Sequence, residues 1–311
     1  MSGATIPSLC PDAGAGERQG IAGEAAPARH ELILVEATDP SYPPRLHDLP
    51  TPPARLWALG DLDMLSRPLV SIVGTRRATS YGTRVTRELA AAFARAGACV
   101  VSGMARGVDA VAHASALDAG GGTIAVLGCG VDVAYPRMHR DLHARIARSG
   151  LLLSEMPPGA HPHGGSFQAR NRIIAALSRL VIVVEAGVQS GALITSSIAL
   201  DLNRDVATVP GPIDSPQSEG ANRLMRDGAH PITSVEDALA LAGLTAPPRN
   251  LPALATDAEA RVWTALGRGA ATMDELCAAA RLPTAACMAA VTALEIRGVL
   301  ECALTGAIRR R

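Results

Sequence analysis

The sequence contains no lysine; all 29 of its basic residues are arginine. That absence rules out the phosphate-loop motif G-x-x-x-x-G-K-[ST], and with it an ATPase or helicase of that kind. Every cationic contact is instead an always-charged, planar guanidinium that can grip an anion through two N–H groups. Aromatic residues are scarce at 2%, with only two Phe, while hydrophobic residues make up 48%. The core is therefore expected to consist of Ala, Val, Leu and Ile. No uncharged apolar run reaches the roughly 18 residues of a membrane span. The N-terminus lacks the basic start and apolar stretch of a secretion signal. Cys10, Cys99, Cys129, Cys277, Cys287 and Cys302 form no C-x-x-C pair. Thiols in a reducing cytoplasm fit this spacing better than a disulfide framework or a zinc site. His161 and His163 lie close together in a Pro/Gly loop with no third ligand nearby, so no metal is expected there.

A chain of 311 residues is long enough for two domains. Its net charge is zero, but the charge is unevenly distributed. Between residues 67 and 107 there are seven arginines and one acid, Glu88, whereas residues 1–66 hold nine acids and four arginines. Residues 1–29 are rich in Ala, Gly and Pro without periodicity and read as disordered. A short apolar stretch at 32–35 precedes Pro-rich chain, after which Trp57 and Leu59 are expected to pack on the following domain. From Leu69 onward, apolar runs of strand length (69–73, 99–101, 123–127, 151–153, 180–184 and 206–209) alternate with helical patterns such as 83–96 and 108–119. This predicts an α/β domain over 30–243, with a mostly parallel sheet covered by helices on both faces. Residues 244–256 read as a linker. Residues 257–311 hold three helical segments (258–266, 273–279 and 284–297) and a short strand at 299–303, the pattern of a small winged helix. Its third helix carries Arg297 as its only base, which favours a protein contact over DNA reading.

Ligands of such sheets bind at the carboxyl ends of the strands. The first strand runs into Gly74-Thr75-Arg76, where the glycine permits a tight turn. A threonine hydroxyl and the next helix's N–H groups could hold an anion there. No G-x-G-x-x-G follows this strand, which argues against a dinucleotide oxidoreductase. The second strand ends in Ser102-Gly103-Met104-Ala105-Arg106-Gly107, and the fifth leads to Ser190-Gly191. The fourth opens a long loop ending at Phe167-Gln168-Ala169-Arg170-Asn171-Arg172. Here a phenylalanine for a base face and two arginines for phosphate flank Asn171 at a helix start, a plausible nucleic-acid site. The alternative is an ordinary helix that buries Ile173, Ile174 and Leu177 and turns its arginines to solvent. Asp109 and His113, one helical turn apart, fit acid–base or metal chemistry less well than a hydrogen-bonding role that fixes the second strand's turn.

Taken in order, these turns resemble the DNA-processing protein A family (DprA, also called Smf). The matching stretches include Tyr42-Pro43-Pro44-Arg45-Leu46, Ile72 to Arg76, Ser102 to Asp109, Ala112-His113, Tyr135-Pro136, Ser154-Glu155, Phe167 to Ile174, Val184-Glu185-Ala186, Ser190 to Thr195 and Val209-Pro210-Gly211. The resemblance covers about residues 40–232 and, more loosely, the C-terminal module. It implies an extended Rossmann-like domain that binds single-stranded DNA without sequence preference and hands it to RecA during natural transformation. It further implies a homodimer, with no catalysis and no cofactor. By the same resemblance Arg76 is a phosphate contact, and Phe167, Arg170 and Arg172 line the DNA pocket. Ser102, Gly103, Ser190 and Gly191 become backbone or hydroxyl phosphate contacts. Gly74, Arg106 and Asn171 complete the expected DNA-binding set. Two departures stand out: Gln168 replaces a common proline, and the first 29 residues cannot supply the helical domain often found ahead of the Rossmann part. A nucleoside-monophosphate phosphoribohydrolase has a similar architecture but needs P-G-G-x-G-T-x-x-E, where this chain has Pro210-Gly211-Pro212-Ile213. Glu155 and Glu185 would be its strand-end carboxylates.

Overall fold

The computed structural model describes residues 31–245, 254–267, 272–303 and 306–310. The expected disordered segment 1–29, and most of the expected linker 244–256, lie outside the described residues. The chain divides between Thr245 and Ala246 into two compact units.

In the first unit the elements run β1 (Leu32–Glu36), β2 (Arg55–Gly60), β3 (Leu69–Val73), α1 (Ser80–Arg95), β4 (Cys99–Ser102), α2 (Val108–Asp118), β5 (Gly122–Leu127), α3 (Arg140–Ser149) and β6 (Leu151–Ser154). They continue with α4 (Ser166–Leu177), β7 (Leu180–Val183), α5 (Gly191–Asp201), β8 (Asp205–Thr208), α6 (Glu219–Arg226), β9 (His230–Pro231) and α7 (Val235–Leu241). One nine-stranded sheet results, in the order β1-β2-β6-β5-β4-β3-β7-β8-β9. From β6 to β9 every pair is parallel, and β2 pairs antiparallel with both β6 and β1. All six strands expected from the sequence are present. Trp57 and Leu59 do pack against the domain, but as part of a strand, opposite Ser154 and Leu152.

Alternation along the strands splits the core in two. Val70, Ile72, Leu180 and Ile182 face a layer formed by Leu89 and Phe93 of α1, Ala112 of α2 and Leu239 of α7. Val73, Val101, Val181 and Val183 face the other way, onto Ile173 and Leu177 of α4, Ala199 of α5 and Leu46. Ile146 of α3 closes a further patch over Ala125, Leu127 and Leu152. Helices thus cover both faces. Strand succession runs outward from β3 through β4 and β5 to β6, then returns through α4 to β7 on β3's other side. The resulting switch in winding direction opens a crevice at the carboxyl ends of β3 and β7. No single helix among the described residues is long and apolar enough to cross a membrane.

The second unit holds α8 (Asp257–Leu266), α9 (Met273–Ala280), α10 (Thr284–Ile296) and a hairpin of β10 (Leu300–Cys302) with β11 (Ile308–Arg310). Its own core joins Val262, Leu276, Val291, Leu294, Leu300 and Ile308. Arg297, the base expected on the third helix, lies just past its end and pairs with Glu259 at 2.5 Å. This ion pair leaves α10 without an arginine on its exposed face.

Phe93 is fully buried at the α1 side of the sheet. Phe93→Ala is expected to cost about 3–5 kcal/mol, read as a lower denaturant midpoint; a cost under about 1 kcal/mol would contradict this packing.

Candidate nucleic-acid interface

Three turns meet at the carboxyl rim of β3, β4 and β7, and small residues let them approach. Thr75 N–H donates to Glu185 O at 2.7 Å, and Val108 N–H to Thr75 O at 3.2 Å. A Cβ at Gly74 would stand 2.6 Å from Val108 Cγ2, and one at Gly107 would stand 2.3 Å from Thr75 O. Gly107 also has φ +78°, a left-handed conformation that glycine adopts without strain.

The anion expected at the start of α1 turns out to be the protein's own. Buried Glu185 accepts from Thr79 N–H at 2.9 Å and from the Thr79 hydroxyl. Thr79 in turn caps α1 through Gly82 N–H at 3.0 Å. A carboxylate at a helix N-terminus is favourably placed, and Gly82 leaves the room it needs. Glu155, the other strand-end carboxylate, accepts two N–H bonds from Arg172 at 2.7 and 2.6 Å.

Asp109 and His113 hold the β4–α2 turn, as the spacing suggested. Asp109 Oδ2 accepts from Gly103 N–H at 3.2 Å and from Ala105 N–H at 3.3 Å. His113 Nε2 accepts from Met104 N–H at 3.3 Å, so its proton sits on Nδ1, 2.7 Å from the Thr123 hydroxyl. Thr123 passes the chain on to Val100 O. His139 Nδ1 lies 3.1 Å from Met104 O. Together these bonds keep Met104 at φ +56°. Burial drives the His113 pKa down to about 3. Burial raises the Asp109 pKa, against the opposing pull of Arg170 and the two N–H groups.

Four of the expected contacts have partners within the domain. Ser102 is buried and its hydroxyl donates to Ile72 O at 2.7 Å. Gly103 gives its N–H to Asp109, and the space beside its Cα is filled by Arg170, whose Nη1 would lie 1.6 Å from an added Cβ. Arg170 itself is only 6% exposed and donates through Nη1 to Val126 O at 2.7 Å. Arg172 is held by Glu155 and by Thr51 O at 3.0 Å. In each case the donor expected to meet a phosphate is committed inside the domain. A sequence gives no sign of which arginine in Arg-Asn-Arg points inward, because both sit on a helix with one buried face.

The remaining positions lie at the surface of the rim. Arg76 is exposed, with its guanidinium carbon 5.7 Å from the centre of the Phe167 ring. Tyr135 lies 5.5 Å from the same ring, tilted by 33°. Both separations fall within cation–π and aromatic-pair range. Phe167 is half-buried at the start of α4, whose first turn has no side-chain cap. Arg106 is exposed on the next turn and has no ion-pair partner among the described residues. Ser190 caps α5 through Ala192 N–H at 3.3 Å, and Asn171 Nδ2 bridges to Gly191 O at 3.3 Å. Tyr135 is absent from the residue set expected from the sequence, although it is 43% exposed here. The signal that could have found it is its place on the loop after β5, which ends at the same rim.

Architecture and rim together define a Rossmann-like protein with arginine and aromatic side chains at its switch point, joined to a small module of three helices and a hairpin. The chain belongs to the DNA recombination-mediator protein A family: the family model matches residues 33–243, and the DprA winged helix domain matches residues 245–303. It is thus a DNA-processing protein of the DprA/Smf kind, with a C-terminal winged helix. A putative DNA processing protein DprA of Mycobacterium tuberculosis is 43% identical over 260 residues, covering 80% of this chain and 67% of the relative. DNA processing protein DprA of Streptococcus pneumoniae is 42% identical over 202 residues, covering 65% of this chain and 71% of the relative. The X-ray structure of the Streptococcus pneumoniae protein superposes with a TM-score of 0.65 at 40% identity, covering 68% of this chain and 75% of that one. A Helicobacter pylori DNA processing protein A structure, described for its single-stranded DNA binding mode, gives 0.62 at 34% identity and covers 67% of this chain and 94% of that one.

The buried, neutral His113 makes stability pH-dependent. Its folded pKa lies below the ordinary 6.5, so its contribution is complete above pH 6.5 and is lost as the pH falls toward about 3. Between pH 7.5 and 5.5 the domain should lose about 1.4 kcal/mol through this residue, and His113→Gln should remove that part of the slope. Denaturant titrations across this range check it; an unchanged slope in the variant would contradict the assignment.

Proposed function

We propose that the rim binds single-stranded DNA with little regard to sequence, and that the protein serves as a recombination mediator passing that strand to RecA during natural transformation. The observation that carries the reading is the cluster of Arg76, Phe167 and Tyr135. A ring offers a face on which any base stacks, and the guanidinium beside it takes the adjoining phosphate. Arg106 on the next turn supplies further N–H donors along the same edge, where Ser190 and Gly191 stand at the capped start of α5. Gly74 and Asn171 shape this edge rather than reach from it. The Helicobacter pylori relative, described for its single-stranded DNA binding mode, supports single-stranded DNA as the ligand.

A role in binding, without a chemical step or a cofactor, is supported by how the strand-end acids are used. Glu185 caps α1, Glu155 neutralises Arg172, and Asp109 holds a turn. Burial also pushes the Cys129 thiol up to about 11, far from a ready nucleophile. The protein acts as a homodimer in the cytoplasm, a setting that suits its free thiols.

Anisotropy titration of an oligothymidylate across salt concentrations tests the reading. Phe167→Ala should weaken binding by about 1–3 kcal/mol. Arg76→Ala should also weaken it and lower the slope of log affinity against log salt by about 0.7. Equal affinity for duplex and single strand, or two variants that bind like wild type, would refute it.

A further inference from the structure

At the amino ends of β7 and β8, the edge of the sheet opposite the rim, three arginines gather around one acid. We propose that Arg45, Arg179 and Arg204 form a docking site for an acidic peptide segment of a partner protein, whose carboxylates take the guanidinium groups that the fold leaves unpaired. The site is separate from the nucleic-acid interface and does not depend on the single-strand reading above.

Three observations carry the inference. The first is convergence. Arg179 and Arg204 are the residues immediately before β7 and β8. Leu180 pairs in register with Asp205, and Asp205 N–H donates to Arg179 O at 3.1 Å, so the two arginines enter neighbouring strands side by side. Arg204 Nη2 lies 2.5 Å from Asp48 Oδ2 on the 3-10 turn Pro44–Asp48. Arg45 stands three residues before Asp48 on that turn, a spacing at which 3-10 side chains eclipse one another. Arg45 is thereby brought to the side on which Arg204 lies. Burial lowers the Arg45 pKa, and the charges of Arg204 and Arg179 lower it further.

The second is imbalance. Arg204 takes the Asp48 carboxylate and reaches Ala176 O at 3.4 Å, while its buried Nε has no hydrogen-bond partner. Arg45 and Arg179 are exposed, and neither has an ion-pair partner among the described residues. Asp201 and Asp205, the acids on either side of Arg204 in sequence, pair with none of the three. Like charges gathered this way disfavour one another, and an added carboxylate offsets that repulsion. The third observation selects the ligand. A nucleic-acid strand is held where its bases find open ring faces. Tyr42, which leads into this turn, is buried, with its hydroxyl donating to Pro53 O at 2.8 Å and the His47 ring packed 5.0 Å from its own. What the cluster already holds is a carboxylate on a guanidinium, a match of planar groups. Asp48 is thus an internal form of the ligand that the free arginines would take.

The test is anisotropy titration of a fluorescein-labelled glutamate decapeptide at low salt, beside a glutamine decapeptide and an oligothymidylate. Wild type should bind the glutamate peptide and not the glutamine one. Arg45→Gln/Arg179→Gln should bind it about tenfold more weakly, the scale of two lost exposed ion pairs. Asp48→Asn removes the internal competitor and should bind it about threefold more tightly, on the scale of a single such pair. Both variants should keep the melting temperature of wild type to within a few degrees, since the substituted side chains lie at the surface. Neither should alter oligothymidylate binding. Wild type that ignores the glutamate peptide would overturn the proposal. So would a glutamate affinity unchanged in Arg45→Gln/Arg179→Gln, or lost instead in Arg76→Ala. A double variant that loses oligothymidylate rather than peptide would make this edge a nucleic-acid surface and overturn it as well.

Discussion

Arg170 lies beneath the rim with its guanidinium shielded from water, and two neighbouring strand ends are shaped around it. Nη1 anchors to Val126 O on β5, and the planar group occupies the space that a side chain at residue 103 would need on the turn after β4. Asp109 supplies the balancing charge while tying down the Gly103 and Ala105 amides. A charge held this far from water persists only where hydrogen bonds and an opposite charge compensate its lost hydration. Because Arg170 belongs to α4, fixing it also fixes the start of that helix. Phe167 sits one turn earlier on the same helix, so the aromatic surface inherits its position from the buried arginine.

The rim therefore has two layers with different duties. The lower layer consists of Arg170, Asp109, His113, Glu185 and the Arg172–Glu155 pair, each engaged within the protein, although the buried Nε of Arg170 has no hydrogen-bond partner. The upper layer consists of Arg76, Arg106, Phe167 and Tyr135, whose faces and N–H groups remain open. Rigid elements below and open groups above are the arrangement that a positioned binding surface requires. It also explains why so many glycines gather here: Gly74, Gly82 and Gly103 each leave room for a neighbour that a Cβ would displace.

Much of the fold was legible in the sequence because continuous apolar runs between helical patterns have few architectural solutions. Each of the six central strands was located within a residue or two. β2 was not, since Arg55-Leu56-Trp57-Ala58-Leu59 follows a Pro-rich segment and pairs antiparallel at the sheet's far side. The rim's location was also legible, from glycines and arginines recurring after successive strands. The duties of individual residues were not. Arg170 and Arg172 share a motif and a helix with Phe167, yet Arg170 turns inward while half-buried Arg172 is held by Glu155, and only three-dimensional packing distinguishes them from Arg76. Tyr135 reaches the cluster from a loop more than thirty residues away in sequence, a juxtaposition that no spacing rule conveys.

The most direct test of the central claim is photo-crosslinking with an oligonucleotide that carries 5-iodouracil, followed by mass-spectrometric mapping of the attached residue. If bases stack on the aromatic cluster, the crosslink falls on Phe167 or Tyr135 and is competed away by unlabelled single strand. Crosslinks confined to other surfaces, with both rings unmodified, would contradict the assignment of the rim as the DNA-binding surface.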